Sequence, residues 1–373
     1  MKICLIGNPN SPHIHRWIRN FSGMGHELIL IGEHSVVRNV PEQCEFHDLS
    51  AQFNIRKFRY LFWIFAIHRL VRKLQPDILH GHGVASAGWL GAMSGFHPFL
   101  ITAHGSDLLL LEKRSRLHRL LSSWALKKAD YVICVSRELT NKAALLGVKQ
   151  DRIETVHLGV DTSVFSPSDE TSNLRSHLDL LPGPLVLSIR PISPVYRPLD
   201  LANAIPLVLK RFPHVHFAIF TFNSDPVTLS QFQQQLINNQ SSYAVQYIGS
   251  LKDDSIIAKY YRTVDICISI AESDGTPISV LEAMASGSAL VVSNLSTIHD
   301  WIHNEQEGLV VPVGDVNTIA DAIVRLLEDE NLRKRLGQNA AEVIRDRGDT
   351  QYWTQRALSV YKKLITEASL SKK

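Results

Sequence analysis

The chain has 373 residues, enough for two domains of roughly 100–200 residues each, and its 45% hydrophobic and 20% charged content is that of a globular protein. The formal net charge of +3 conceals an asymmetry: residues 1–160 carry 20 basic and 12 acidic side chains, and the remainder 19 and 24. No apolar run is long enough to span a bilayer, and the four cysteines form no C-x-x-C pair, which argues against a zinc site or disulfides and predicts buried free thiols in a reducing compartment.

In chain order, residues 2–6 (K-I-C-L-I) read as a first buried strand, and this opening is too short for a signal-peptide core. Residues 7–15 (G-N-P-N-S-P-H-I-H) form a turn-rich loop, 16–24 a helix and 25–32 a second strand. Strand, loop, helix and strand open a Rossmann-like unit. The loop lacks G-x-G-x-x-G, which argues against a nicotinamide-dependent enzyme. Asn8, Asn10 and Ser11 stand there instead, and His13 and His15 read as structural histidines.

Residues 53–74 combine Arg56, Lys57, Arg59, Arg69, Arg72 and Lys73 with a dense run of Phe, Tyr, Trp and Ile and contain no acid. A basic, aromatic, amphipathic helix of this kind fits a membrane interface; it fits equally a core helix with solvated basic ends. A second basic stretch covers 113–128. The basic front half suits an anionic partner: a membrane, a lipid diphosphate or nucleic acid. Residues 76–83 (P-D-I-L-H-G-H-G) and 99–107 (F-L-I-T-A-H-G-S-D) each read as a buried strand entering a polar loop, where ligands bind in parallel α/β sheets. Residues 130–136 are a further strand. The polar segment 166–184 reads as a linker, which bounds a first domain at 1–168 and a second at 184–350.

In the second half, 185–190, 215–220 and 245–249 read as strands, and the Asp253-Asp254 pair begins a helix rather than holding a metal. The alternating run 265–270 is a short buried strand, followed by the loop 272–276. Thr276 is placed to cap a helix with Pro277 at its first position. Val280, Leu281, Met284 and Ala285 give that helix an apolar face, and Gly287 ends it. A helix start offers unpaired N–H groups to an anion, most often phosphate. Asp274 and Glu282 add carboxylates that accept hydrogen bonds from hydroxyls. Together they suit a ligand with a phosphate and many hydroxyls, such as a nucleotide sugar; they also fit an ordinary capped helix with a surface Asp and Glu. Residues 289–293 follow as a strand, 317–327 and 330–342 as helices, and 351–367 as a last amphipathic helix.

The stretch 274–287, D-G-T-P-I-S-V-L-E-A-M-A-S-G, resembles the E-x7-E signature of family 4 retaining glycosyltransferases with the GT-B fold. Asp274 replaces the first glutamate and is shorter by one methylene; Glu282 stands eight positions on. T-A-H-G-S-D at 102–107 resembles the family's H-G-x-D, and 130–136 its A-D-x-V-x-x-V-S. Residues 157–167 are similar to N-G-V-D-x-x-x-F-x-P with His157 in the Asn place, and 308–315 to G-x-L-V-x-x-x-D. L-V-L-S-I-R at 185–190 matches a strand that in the family ends in Gly-Arg. The Lys-Gly that follows there is missing here; Tyr196 and Arg197 stand in that region.

The resemblance covers nearly the whole chain. It implies an α/β architecture, GT-B, with two Rossmann-like domains whose parallel sheets face a central cleft, and a C-terminal segment 351–373 that returns to the first domain. The implied reaction moves a sugar from a nucleotide-diphosphate donor to an acceptor hydroxyl with retained anomeric configuration, without metal or cofactor. His104 then contacts the donor sugar, Arg190 the diphosphate, Asp274 sugar hydroxyls and Glu282 the ribose. Either Arg197 supplies the charge of the missing lysine or Tyr196 occupies its position. Gly249, Ser250 and Leu251 border the nucleobase, and Gly275, Thr276, Pro277 and Ile278 the phosphates.

The implied partners are a nucleotide sugar, a sugar or lipid-linked acceptor and an anionic membrane surface, and no nucleic acid. The implied setting is cytoplasmic, peripheral on the inner face of the cytoplasmic membrane, in surface polysaccharide or glycoconjugate synthesis. Two rivals stand beside this reading. One is a GT-B nucleotide-sugar epimerase. The other is a catalytically weakened nucleotide-sugar-binding subunit, which the Asp at 274 and the missing lysine favour.

Overall fold

The structure, a computed structural model, describes residues 1–32, 42–49, 59–168, 175, 180–249, 251 and 253–370. The chain divides into two compact units, Met1–Leu158 with Gln351–Lys373, and Gly159–Thr350.

The first unit holds the strands Lys2–Ile6 (β1), Glu27–Gly32 (β2), Cys44–Asp48 (β3), Ile78–His82 (β4), Phe99–Ala103 (β5), Tyr131–Cys134 (β6) and Ile153–Thr155 (β7). They pair in parallel in the order β3-β2-β1-β4-β5-β6-β7. β1 lies centrally, with Ile3 opposite Leu28 on one side and Ile78 on the other. A parallel sheet covered on both faces needs strands that are apolar throughout. β4, β5 and β6 are accordingly buried along their whole length.

The second unit repeats the plan. Leu185–Ser188 (β8), His216–Phe220 (β9), Val245–Ile248 (β10), Ile266–Ser269 (β11), Ala289–Ser293 (β12) and Leu309–Val311 (β13) pair in parallel as β10-β9-β8-β11-β12-β13. In each sheet the chain starts in the middle, builds outward to one side, then returns to build the other. The direction reverses between β1 and β4 and between β8 and β11. Loops leaving the strand ends at such a reversal diverge and leave room for a ligand.

Several elements differ from the sequence reading. The first helix is Pro12–Gly23, beginning inside the expected loop. Pro12 has the φ of a first helical residue, and Ile14, Trp17, Ile18 and Phe21 form the buried stripe, so the apolar period begins before residue 16. His13 and His15 thus lie in a helical first turn. β3 escapes the hydrophobic pattern because it is a partly exposed edge strand with the sequence C-E-F-H-D. The three cysteines of β1, β6 and β11 are buried and Cys44 is partly so; all four are free thiols, and burial pushes the Cys134 and Cys267 thiols up to about 12.

The division between units falls at Gly159 rather than at 168 or within 166–184. Residues 159–168 are held by the second unit's own groups. The Val160 N–H donates to Gly348 O at 2.8 Å, and the Thr350 N–H donates to Val160 O at 2.9 Å. Phe165 is buried in the second unit's core, and the Arg262 guanidinium donates to the carbonyls of Val164 and Ser166 at 2.6 Å each.

Of the basic aromatic stretch, the helix Arg59–Leu74 is described; Arg56 and Lys57 lie outside the described residues. Trp63, Ile67 and Val71 form its buried stripe, and the Trp63 indole donates to Leu49 O at 3.1 Å. Phe62 and Phe65 are exposed, at 39% and 68%. The helix therefore packs on the domain and still presents aromatic side chains outward. No helix among the described residues is long and apolar enough to cross a membrane.

Candidate active site

In the second unit the motif helix is Ile278–Ala285, one residue shorter at its start than the spacing predicts. Pro277, at φ −79° and ψ 76°, is the flanking residue and takes the cap position expected of Thr276. The N–H groups of Ile278, Val280 and Leu281 donate to Thr276 O, Pro277 O and Pro277 O. Proline has none to give, so the first turn offers an anion fewer donors than a standard helix start. The far end follows the expectation. Gly287, at φ +80°, donates to Met284 O, and Ser288 donates to Ala283 O. This is a paired helix ending that needs a left-handed residue, hence glycine.

Arg190 follows β8, and Ser269 and Asp274 lie at and beyond the end of β11, the neighbouring strand across the reversal. The Arg190 guanidinium donates to Ser269 Oγ through Nε at 2.8 Å and to Asp274 Oδ2 through Nη2 at 2.5 Å. Its carbon lies 5.1 Å from the centroid of the Tyr196 ring. Both partners of the ion pair are largely enclosed, with 11% and 13% of their side chains exposed. Ser188, Arg190, Ile192, Tyr196, Ile268 and Ile270 border a small recess beside the pair. Two residues expected to meet the donor separately are thus bound to one another.

Glu282 lies on the motif helix and accepts from the Tyr261 hydroxyl at 3.4 Å. Tyr261 is buried, and burial first, then the Glu282 carboxylate, holds its phenol far above the usual range. Arg197 is engaged by a neighbour on the helix that follows it. Its backbone is left-handed at φ +43° ahead of the helix Pro198–Leu209, and its guanidinium grips Asp200 at 2.5 and 3.3 Å. Gly275, Thr276 and Pro277 are buried and Ile278 partly so; Gly249 is exposed and Leu251 packs against the core. Ser250 lies outside the described residues.

In the first unit, His104 follows β5, and Gly105 beside it sits at φ +149°, a conformation that a side chain disfavours. Asp107 ties the loops together. Its Oδ1 accepts from Gly105 N at 2.8 Å, and its Oδ2 accepts from Val84 N, beyond β4, at 3.0 Å. Its role is to shape the loop that carries His104.

His104 also belongs to a row of rings that the sequence reading did not assemble. His13 stacks on His104 with centroids 5.1 Å apart, His82 stacks on it at 5.3 Å, and His80 lies 4.0 Å from His82. Tyr361, from the helix Thr350–Leu370, meets His80 Nδ1 at 2.5 Å. Burial holds His104 down at about 4, and His80 and His82 well below the usual imidazole range, so all three are neutral near pH 7. The signal for this row was the H-G-H pattern at 80–82, since residues two apart on a strand share a face.

Residues 2–136 match the family described as glycosyl transferase 4-like, and residues 185–329 match glycosyl transferases group 1. The chain is 24% identical over 349 residues to the N-acetyl-alpha-D-glucosaminyl L-malate synthase of Bacillus anthracis, covering 90% of this chain and 88% of that protein. It is 22% identical over 290 residues to the UDP-Gal:alpha-D-GlcNAc-diphosphoundecaprenol alpha-1,3-galactosyltransferase of Escherichia coli, covering 75% and 73%. Among solved structures, HepE of Anabaena in complex with UDP and glucose superposes with a TM-score of 0.82 at 16% identity, over 98% of this chain and 100% of that one. That likeness, with the strand orders above, makes the fold GT-B.

Proposed function

The chain belongs to the group 1, family 4-type glycosyltransferases, enzymes that transfer a sugar to an acceptor, and from that premise we propose that its donor is a nucleotide-diphosphate sugar. The observation that carries this reading is the Arg190–Asp274 pair at the strand ends of the second sheet's reversal. A leaving diphosphate gains negative charge in the transition state, and a preorganised cation stabilises it. Ser269 and Asp274 hold the guanidinium in place before any ligand arrives. Glu282 is assigned to the ribose and His104 to the sugar. We read the transfer as retaining and metal-independent, with the leaving phosphate taking the acceptor's proton. The bound UDP and glucose of the Anabaena structure and the UDP-Gal donor named for the Escherichia coli relative favour a uridine nucleotide.

The acceptor is read as lipid-linked, in surface polysaccharide or glycoconjugate synthesis, and the first unit as resting on an anionic membrane surface. Support comes from exposed side chains on two helices. The helices Arg59–Leu74 and Arg116–Lys128 both pack on the helix Ala87–Ser94. They expose Phe62, Phe65, Leu117 and Leu120 together with Arg69, Arg72, Lys73, Arg116 and Arg119. Apolar side chains ringed by cations suit an anionic interface, and the Escherichia coli relative is named for a diphosphoundecaprenol acceptor.

The weakened-subunit reading draws on the missing lysine and on Arg197, whose guanidinium is paired with Asp200. The test is a panel of nucleotide sugars offered to the purified full chain with and without lipid-linked acceptors. The expected result is nucleoside-diphosphate release coupled to product from a uridine donor. Stabilisation by UDP without release would make the chain a binding subunit; isomerised donor would make it an epimerase.

A further inference from the structure

Two anchors hold the Arg190 guanidinium, and both lie along one edge of it. Nε donates to Ser269 Oγ at 2.8 Å and Nη2 to Asp274 Oδ2 at 2.5 Å. A guanidinium is a flat group with five N–H donors. Its other end, Nη1, bonds to no described residue. Bonds along one edge leave a flat group free to tilt about that edge, and a contact on its face opposes the tilt. The Tyr196 ring supplies one: the guanidinium carbon lies over it, 5.1 Å from the centroid.

The backbone fixes that ring. Tyr196 ends the short turn Pro194–Tyr196, in which the Tyr196 N–H donates to Ser193 O at 2.9 Å and the Arg197 N–H to Pro194 O at 3.1 Å. Pro198 opens the helix that follows. The Glu272 N–H donates to Val195 O at 2.8 Å, which ties the turn to the loop carrying Asp274. Arg190 and Tyr196 border one recess with Ile192, Pro198, Ile268 and Ile270. A cation over an aromatic face is held by the ring's quadrupole, more strongly where water is excluded, and only 11% of the Arg190 side chain is exposed.

We infer that Tyr196 is a positioning residue for the donor's diphosphate: its ring holds the Arg190 guanidinium in the plane set by Ser269 and Asp274, leaving the Nη1 end for the anion. In the region of the missing lysine the chain thus adds no second charge through Tyr196; it steadies the cation already there. Arg197, next in the chain, is paired with Asp200. A side chain ordered before its ligand arrives loses less entropy on binding. The inference rests on the assignment of Arg190 to the diphosphate.

The test is calorimetric titration of UDP, GDP, ADP and dTDP into the full chain, with the tightest binder as probe. Tyr196→Leu fills the recess without an aromatic face and weakens the probe roughly tenfold, the scale of a partly enclosed cation–π contact, whereas Tyr196→Phe stays within about threefold. In a double-mutant cycle, Tyr196→Leu adds less than about a twofold loss once Arg190→Ala is present, because the two act as one unit. Progressively fluorinated phenylalanines at position 196 keep the ring's shape and draw charge from its face, so affinity falls stepwise with fluorine count. Mere packing does not produce that series, and the series needs no change in fold.

A flat fluorine series overturns the positioning role, as do losses that multiply in the cycle. Tyr196→Phe binding as weakly as Tyr196→Leu assigns the effect to the hydroxyl and overturns it too. In each of these cases a weakened Arg190→Ala leaves the donor reading standing. Arg190→Ala at wild-type affinity removes Arg190 from the diphosphate, and Tyr196 with it. A wild-type chain that binds none of the four nucleotides ends the donor reading and the positioning role together.

Discussion

The two units share a strand order and put different chemistry at the same place in it. At the reversal of the first sheet stand His80, His82 and His104, neutral and lowered in pKa by burial, with the His13 ring stacked on His104. At the reversal of the second stands an enclosed ion pair, Arg190 with Asp274, backed by Ser269. The topology supplies a location; the residues at the strand ends differ in their chemistry. Uncharged donors and acceptors suit a sugar's hydroxyls, and a fixed cation suits a diphosphate. The charge along the chain divides in a similar way, with the basic excess in the first 160 residues and the acidic excess after them.

The largest effect is expected from breaking the second unit's pair. Arg190→Ala should lower turnover by about 100- to 1,000-fold, as removal of a transition-state donor does elsewhere. It also leaves the Asp274 carboxylate enclosed and unpaired, so the melting temperature should drop. Arg190→Ala with Asp274→Ala should recover stability and not turnover. Full turnover of the single variant at saturating donor removes Arg190 from the diphosphate.

A membrane measurement tests whether the charge asymmetry belongs to function. Changing Arg69, Arg72 and Lys73 to Gln together should weaken partition onto anionic vesicles by roughly 100-fold at low salt, at about 1 kcal/mol per cation. The wild-type chain should release from the vesicles as salt rises. A wild-type chain that ignores anionic vesicles at low salt ends the membrane reading.

Glu282→Gln sharpens the contrast between units. It should weaken binding of UDP, which carries no sugar, by about tenfold, the loss of a charged hydrogen bond. His104→Ala should leave UDP affinity alone and reduce turnover. Calorimetric titration of UDP into both variants separates them, and identical behaviour would show that the two units do not divide the donor as described.

The smallest expected effect is on acid stability. Burial lowers the folded-state pKa of His80, His82 and His104, so the unfolded chain binds more protons in mildly acidic solution. Their destabilising effect is absent above the unfolded value of 6.5 and grows as pH falls toward the folded value, about 4 for His104. In the second unit the lowered histidine is His216, at the start of β9. Hydrogen exchange at pH 7 and pH 5 should therefore show the first unit losing protection before the second.

The apolar runs of β1, β5, β6, β11 and β12 made the two parallel sheets legible in the sequence, because a strand buried on both faces has no polar alternation to hide it. β3 was not legible, since an edge strand of mixed residues carries no such pattern. The motif at 274–287 pointed to the helix and its glycine end, and to Glu282. It did not point to Tyr261 as the partner of Glu282, nor to Asp200 as the partner of Arg197.

Local sequence decided what each segment would be, because strand period, proline at a helix start and left-handed glycine act over a few residues. It also placed Arg190, Asp274, Glu282 and His104 at strand ends or on the helix that follows. Pairing was decided only when the sheets formed. Arg190 and Asp274 are 84 residues apart, His82 and His104 are 22 apart, and His80 and Tyr361 are 281 apart. No local pattern encodes such distances. Parallel strands bring their ends together only after the connecting helices have crossed the sheet, and there burial turns His80, His82 and His104 into one neutral row.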